Sequence, residues 1–168
     1  MAASALRTVI IVPTYNERPN IQKLLPAVAS VLSALKRDVL VLVVDDTSPD
    51  GTAQEVEKLQ KKYSFLKLLV NKKKAGLGGA YLKGMEYAFN TLGAQVCMEM
   101  DADLSHDPKK IPAFLKAIDA GADLVLGSRY IPGGSIPSNW GMHRKFLSVF
   151  GNVIISVILA SFAVRDWT

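Results

Sequence analysis

Apolar residues recur along this chain in two alternating rhythms. Val9-Ile10-Ile11-Val12 is a short continuous apolar run closed by Pro13, the pattern of a strand buried on both faces. From Asn20 to Lys36 the rhythm becomes helical, through Ile21, Leu24, Leu25, Val28, Val31, Leu32 and Leu35, and Pro26 is expected to kink this helix or reset its start. Val39 to Val44 is a second buried strand, stopped by Asp45-Asp46. Ser48-Pro49-Asp50-Gly51 is turn chemistry, and Thr52 is suited to cap a helix running to about Lys62. Phe65 to Val70 reads as a third strand, Gly76-Leu77-Gly78-Gly79 opens a helix to about Asn90, and Val96 to Met100 is a fourth strand. Asp107-Pro108 offers a cap and a first-turn proline in helix-starting order, and Leu124 to Leu126 reads as a fifth strand.

Strands alternating with helices through short links predict parallel β-α-β units, hence an α/β fold with a Rossmann-like, mostly parallel sheet flanked by helices. In such sheets ligands bind beyond the carboxyl ends of the strands. Those ends are Pro13 to Glu17, Asp45-Asp46, the glycine loop, Asp101 to Asp103, and Ser128-Arg129, so the candidate polar residues gather on one edge. Asp101-Ala102-Asp103 carries the most chemistry. Side chains alternate along a strand, so two carboxylates one residue apart at its end are expected to point the same way. Two convergent carboxylates call for a cation, and Mg²⁺ or Mn²⁺ takes oxygen ligands and bridges phosphates.

Composition narrows the classes. At 168 residues with 49% apolar content, the chain suffices for one domain with a proper core and is too apolar for disorder. Met1 to Leu6 shows no charged segment followed by an apolar stretch, so no secretory signal is expected. The single cysteine, Cys97, lies inside an apolar run and reads as a small core residue. Much of the net charge of +5 sits in Lys58, Lys61, Lys62, Lys67, Lys72, Lys73 and Lys74, which we read as a solvated helix face and loop. No aromatic residues interleave with them and no nucleic-acid motif occurs, so nucleic acid is not an expected partner.

Several common chemistries are absent. Gly76-x-Gly78 is followed three residues later by Tyr81 and comes after the third strand, so it is not a dinucleotide fingerprint. No G-x-x-x-x-G-K-[ST] or G-x-S-x-G occurs, and His106, His143 and Cys97 do not make a zinc spacing. A cation site, acidic strand ends and two well-placed arginines suit a nucleotide-diphosphate donor.

The runs Val12-Pro13-Thr14-Tyr15-Asn16-Glu17, Val44-Asp45-Asp46-Thr47-Ser48-Pro49-Asp50-Gly51-Thr52, Met100-Asp101-Ala102-Asp103-Leu104-Ser105-His106-Asp107-Pro108 and Gly127-Ser128-Arg129-Tyr130 resemble family 2 glycosyltransferases, in particular the dolichyl- or polyprenyl-phosphate mannosyltransferase branch. The resemblance implies a nucleotide-diphospho-sugar transferase fold of the GT-A type and a metal-dependent, inverting transfer of mannose from GDP-mannose to a lipid monophosphate. By motif, Pro13, Tyr15 and Glu17 would line the nucleotide pocket, and Val44 and Asp46 would hold base and ribose. Asp101, Ala102 and Asp103 would meet the donor, with Asp101 and Asp103 binding Mg²⁺ or Mn²⁺. Arg129, Arg144 and Ser148 would meet the acceptor phosphate, and Asp103, Arg129 and Arg144 would be the catalytic set. Asp45 and Asp50 are expected only to shape the turn, and Ser105 is given no ligand role.

Arg144, Ser148, Asn152 and Ser156 recur every four residues as a polar stripe on an otherwise apolar stretch. We therefore expect residues 1–146 to form the catalytic domain and 147–168 an apolar helix at the membrane interface, with the protein on the cytoplasmic face of a membrane. In the family, Asp166-x-Thr168 opens further acceptor-site sequence, so the expectation is a C-terminally shortened chain that relies on a missing region or an anchoring subunit. A UDP-glucose-dependent lipid-phosphate glucosyltransferase, and a catalytically silent nucleotide-sugar-binding module, are the alternatives. A sugar nucleotidyltransferase fits less well, since it would want a glycine-rich phosphate loop near the first strand.

Overall fold

The computed structural model describes residues 6–131, 134, 136, 141–160 and 166, apart from the side chain of Arg144. The chain divides into two compact units, Met1–Ala113 and Phe114–Thr168. In the first, β1 (Thr8–Thr14), α1 (Arg18–Ser33), β2 (Val39–Asp45), α2 (Thr52–Gln60), β3 (Leu66–Val70), α3 (Gly76–Asn90) and β4 (Val96–Glu99) alternate as the hydrophobic rhythm predicts. The strands pair in parallel in the order β3-β2-β1-β4, with Thr8 opposite Val39 and Thr14 opposite Asp45. Every residue of β1 is buried, whereas β3 and β4 at the two edges are partly open. After β3 the chain returns to the far side of β1, so the order reverses between β1 and β4. That reversal point is where a crevice opens in sheets of this kind.

Alternation divides the sheet's apolar residues between two layers. Val9, Ile11, Leu42 and Val44 pack with Ala80 and Ala88 of α3. The opposite face, Ile10, Val12, Val41 and Val43, is equally buried, as is the stripe Ile21, Leu24, Leu25 and Val28 of α1. Gly84 lets α3 approach closely: a Cβ there would lie 2.6 Å from Ile11 Cγ2 and 3.0 Å from Val44 Cγ2. Cys97 packs at the margin of the α3 cluster, and burial, with Glu99 beside it, pushes its thiol up to about 11, consistent with a core residue and not a nucleophile.

Three local expectations are corrected. α1 begins at Arg18 and runs through Pro26 to Ser33, because Pro26 and Gln22 both face solvent and the carbonyl of Gln22 can turn to water. Thr52 does not cap α2; that position belongs to Gly51, whose φ of 84° turns the chain into the helix. The turn residues instead cap α1, since the N–H groups of Asn16, Glu17 and Arg18 donate to Ser48 Oγ, Thr52 Oγ1 and Asp50 Oδ2. The third correction concerns Leu124 to Leu126, which form no strand; Leu124 and Leu126 are 71% and 47% exposed. A run of three apolar residues bounded by Asp123 and Gly127 offers little ladder to pair.

Asp107 and Pro108 start a helix as expected, with the Asp107 carboxylate accepting from Lys109 N–H at 3.0 Å over a 3₁₀ turn, Pro108–Lys110. The boundary between the units falls inside the next helix, α4 (Ile111–Asp119). The second unit also contains α5 (Met142–Ile158). Its polar residues Ser148, Asn152 and Ser156 are buried, whereas Phe146, Leu147, Phe150, Val153, Val157 and Ile158 are each more than half exposed. Among the described residues no helix is long and apolar enough to cross a membrane.

Candidate functional site

A cleft of about 270 Å³ opens at the carboxyl ends of the strands in the first unit, lined among others by Pro13, Tyr15, Glu17, Asp46, Asp101, Ala102 and Asp103. Seven of the eight residues expected to meet a donor are thus gathered in one place. The exception is Val44, whose side chain is fully buried in the cluster under α3, because alternation along β2 turns it to that face of the sheet. The loops that leave β1, β2 and β4 hold Asn16, Thr47 and Leu104 in left-handed conformations, φ 60°, 60° and 65°. Such strain outside glycine persists only where surrounding contacts impose it, and it concentrates at functional loops. For Thr47, one such contact is the bond from its hydroxyl to the carbonyl of Asn71.

The two aspartates that end β2 have different tasks. Asp45 is buried and accepts from Thr14 Oγ1, Ser48 Oγ and Ser48 N–H, so it shapes the turn as expected. Asp50 does the same one turn later: burial would raise its carboxyl, but bonds from Thr52 and Arg18 hold it below the ordinary value. Asp46 is the link between walls. Its Oδ1 accepts from Asn71 Nδ2 at 2.6 Å, and its Oδ2 from the N–H groups of Ala75 and Gly76 at 2.8 and 2.7 Å. Burial acts to raise this carboxyl, yet those three bonds, with Lys83 nearby, outweigh it and hold the group below its ordinary value. The carboxylate thereby satisfies orphan donors where α3 begins and draws the glycine loop to the cleft.

The glycine loop supplies residues that the motifs did not single out. Lys74, Gly76, Leu77 and Ala80 join Thr14 in lining the cleft. The Lys74 ammonium stands 3.4 Å over the centroid of the Tyr15 ring, a cation–π contact at the entrance. Lys74 lay hidden in a lysine run read as solvated; its position two residues before the first glycine of the loop was the available signal.

On the far wall, β4 ends at Glu99, so Asp101 and Asp103 reach the cleft from a turn and not by strand alternation. Asp101 Oδ1 accepts from Tyr81 of α3 at 2.8 Å, and the Asp101 N–H donates to His106 Nδ1 at 3.1 Å. Asp103 Oδ1 accepts from the N–H of Ser105 at 2.9 Å. Ser105, through hydroxyl and N–H, holds the Asp103 carboxyl below its ordinary value against the opposing effect of burial, with His106 adding to it. Among the described residues no three His, Cys, Asp or Glu side chains gather to hold a metal by themselves. Two carboxylates on an open cleft do fit Mg²⁺ or Mn²⁺, which commonly take one or two protein carboxylates and complete their shells with water and substrate phosphates.

In the second unit, Arg129 is committed. Its Nε and Nη2 donate to Asp166 Oδ2 and Oδ1 at 2.8 and 2.6 Å, and its N–H donates to Asp166 Oδ2 at 2.8 Å. Asp166 raises the guanidinium above its ordinary value, with burial opposing. The Arg129 guanidinium, expected to meet the acceptor phosphate, is thus engaged by a carboxylate. Ser148 is buried, and its hydroxyl accepts from the phenol of Tyr130 at 2.7 Å. The side chain of Arg144 lies outside the described residues.

Residues 9–161 match the family described as glycosyl transferase family 2. The chain is 42% identical over 154 residues to a polyprenol monophosphomannose synthase of Mycolicibacterium smegmatis, covering 91% of this chain and 56% of that protein. It is 38% identical over 143 residues to a dolichol-phosphate mannosyltransferase of Pyrococcus furiosus, covering 85% and 38%. The chain spans about half the length of these curated relatives. Among solved structures it resembles the mannosyltransferase PcManGT from Pyrobaculum calidifontis in complex with GDP-Man and Mn²⁺, with a TM-score of 0.53 and 27% identity over 60% of this chain and 28% of that one. The parallel four-stranded sheet, the acidic cleft at its reversal point and the match from residue 9 to residue 161 agree: this chain belongs to glycosyl transferase family 2.

Proposed function

We propose that this chain carries the donor site of a mannosyltransferase that moves mannose from GDP-mannose to a polyprenyl or dolichyl monophosphate with inversion. The observation that carries the reading is the cleft with Asp101 and Asp103 on one wall and Tyr15 and Lys74 at its entrance. Tyr15 offers an aromatic face, Lys74 a cation, and the two carboxylates a seat for Mg²⁺ or Mn²⁺. When bound, that ion would neutralise the donor diphosphate and ease departure of the nucleoside diphosphate. Pro13, Glu17 and Ala102 complete the nucleotide walls, and Asp46 acts by fixing the glycine loop. Val44 acts by packing α3 against the sheet.

The acceptor needs little activation. A phosphate monoester has a second pKa of about 6, so it is largely dianionic at neutral pH and needs no general base. The protein's task is to hold two phosphate groups near each other. Arg144, in the first turn of α5, is our candidate cation for the acceptor, with Ser148 one turn further on.

The proposed donor site is tested by calorimetric titration with GDP-mannose and UDP-glucose, with and without Mn²⁺, using the chain and its Asp103→Asn variant. The expected result is Mn²⁺-dependent binding of GDP-mannose, weakened about tenfold or more in the variant, the scale of one charge-assisted contact. Equal binding by the variant, or binding indifferent to Mn²⁺, would count against the reading. A preference for UDP-glucose would change the donor and keep the site.

The membrane arm of the reading rests on α5. A helix that buries its polar stripe and exposes its apolar face presents a patch of the kind that marks an interaction surface. We assign that face to the lipid–water interface, from which a lipid phosphate has to arrive. Phe146 and Phe150 stack at 5.7 Å on it. The chain should co-sediment with anionic phospholipid vesicles, and Phe146→Glu with Phe150→Glu should leave most of it in the supernatant. Sedimentation unaffected by the double substitution would remove α5 from the interface.

A further inference from the structure

Tyr81 belongs to α3, yet its functional contact lies in the turn after β4. Its ring packs half-buried against the apolar cluster on the sheet, and its hydroxyl donates to Asp101 Oδ1 at 2.8 Å. Asp101 is also held from the other side: its N–H donates to His106 Nδ1, and His106 Nε2 stands 3.9 Å from Asp101 Oδ2. Nδ1 therefore accepts, and a neutral imidazole carries its proton on Nε2, toward the carboxylate. One oxygen of Asp101 is engaged by a phenol, and the backbone that bears it is fixed. Asp103, by contrast, accepts a local bond from the N–H of Ser105.

We propose that Tyr81 is a positioning residue for the cation site: by holding Asp101 Oδ1 it determines which oxygen of Asp101 is offered to a divalent cation, and so sets the affinity for that cation. The inference rests on Asp101 being a cation ligand. Partners that orient a metal-ligating group are commonly worth about 10–100-fold in metal affinity. A phenylalanine would keep the packing of the ring and remove only the hydroxyl, which separates positioning from filling.

The test is Mn²⁺ binding followed by the electron paramagnetic resonance of free Mn²⁺, with GDP present, for the chain, Tyr81→Phe and Asp101→Asn. The expected result is a Kd for Mn²⁺ raised about tenfold or more by Tyr81→Phe, with GDP binding in the absence of Mn²⁺ unchanged and far-UV dichroism and thermal midpoint close to those of the parent. Unaltered Mn²⁺ binding by Tyr81→Phe, together with loss in Asp101→Asn, overturns the positioning role and leaves the cation site standing. Unaltered binding in Asp101→Asn, or no binding by the parent chain, overturns the cation site and this inference with it. Equal losses of Mn²⁺ affinity and of metal-free GDP affinity in Tyr81→Phe would show general damage to the cleft and also overturn it. A parallel titration of His106→Asn, which retains a short acceptor for the Asp101 N–H, should show a smaller loss; a loss exceeding that of Tyr81→Phe would give the orienting role to His106 instead.

Discussion

Asp46→Ala is expected to destabilise the first unit by about 2–4 kcal/mol, because it strips a buried, charged acceptor from three donors at once. The carboxylate is 3% exposed, and Asn71 Nδ2, Ala75 N–H and Gly76 N–H would all lose their partner. The start of α3 would loosen with it, so nucleotide binding should weaken alongside stability. The acid limb carries the same signature. A carboxyl whose value is lowered on folding contributes stability that is fully present above its unfolded value, about 3.9, and is lost as pH falls through the lowered folded value. Asp50 and Asp103 are lowered as well, so the parent chain should lose stability steadily below about pH 4, and Asp46→Asn should show a shallower decline. Urea midpoints across that range measure both effects. A variant as stable as the parent at neutral pH would mean that the glycine loop is held by something other than Asp46.

The layout of the first unit was legible because its signals are local. Val9 to Val12 and Val39 to Val44 are apolar without interruption, so they read as interior strands, and the helical stripe from Ile21 to Val28 reads as a partner layer. The cleft was legible for a related reason: in a parallel sheet every strand delivers its next few residues to the same edge, so Pro13, Tyr15, Glu17, Asp46 and Asp101 to Asp103 had to meet. What stayed hidden depends on contacts between segments far apart in sequence. Thr52 has the chemistry of a cap, and only the fold shows its hydroxyl turned to Glu17 of another loop. In the sequence Tyr81 only breaks a dinucleotide pattern, though its phenol reaches a carboxylate twenty positions on. Val44 adjoins the acidic pair yet points into the core. Leu124 to Leu126 has strand-like composition without a ladder, since composition alone does not supply a neighbour. In α5 the four-residue spacing of Ser148, Asn152 and Ser156 was visible, but whether that stripe faced water or protein was not.

The Arg129–Asp166 pair should matter strongly to the second unit, with Asp166→Ala destabilising it by about 2–4 kcal/mol. Asp166 is 5% exposed and Arg129 28%, and the two share a bidentate bond reinforced by the backbone N–H of Arg129. Removing the acid leaves a guanidinium largely out of water and facing a gap, which is where the penalty arises. The partial exposure of Arg129 places the expected value toward the lower part of the range for buried pairs. Replacing both residues with apolar ones of similar length, Arg129→Met with Asp166→Leu, should be milder than Asp166→Ala alone, since no charge is then left unpaired. Urea denaturation of Arg129→Met, Asp166→Leu and the double variant closes a thermodynamic cycle. Single effects that add to within about 0.5 kcal/mol would show that the pair is not coupled. The same cycle bears on function. If Arg129 served the acceptor phosphate directly, freeing it from Asp166 should strengthen phosphate binding at little cost in stability. If the pair is structural, Asp166→Ala should instead weaken both, because the backbone at Arg129 would lose its anchor.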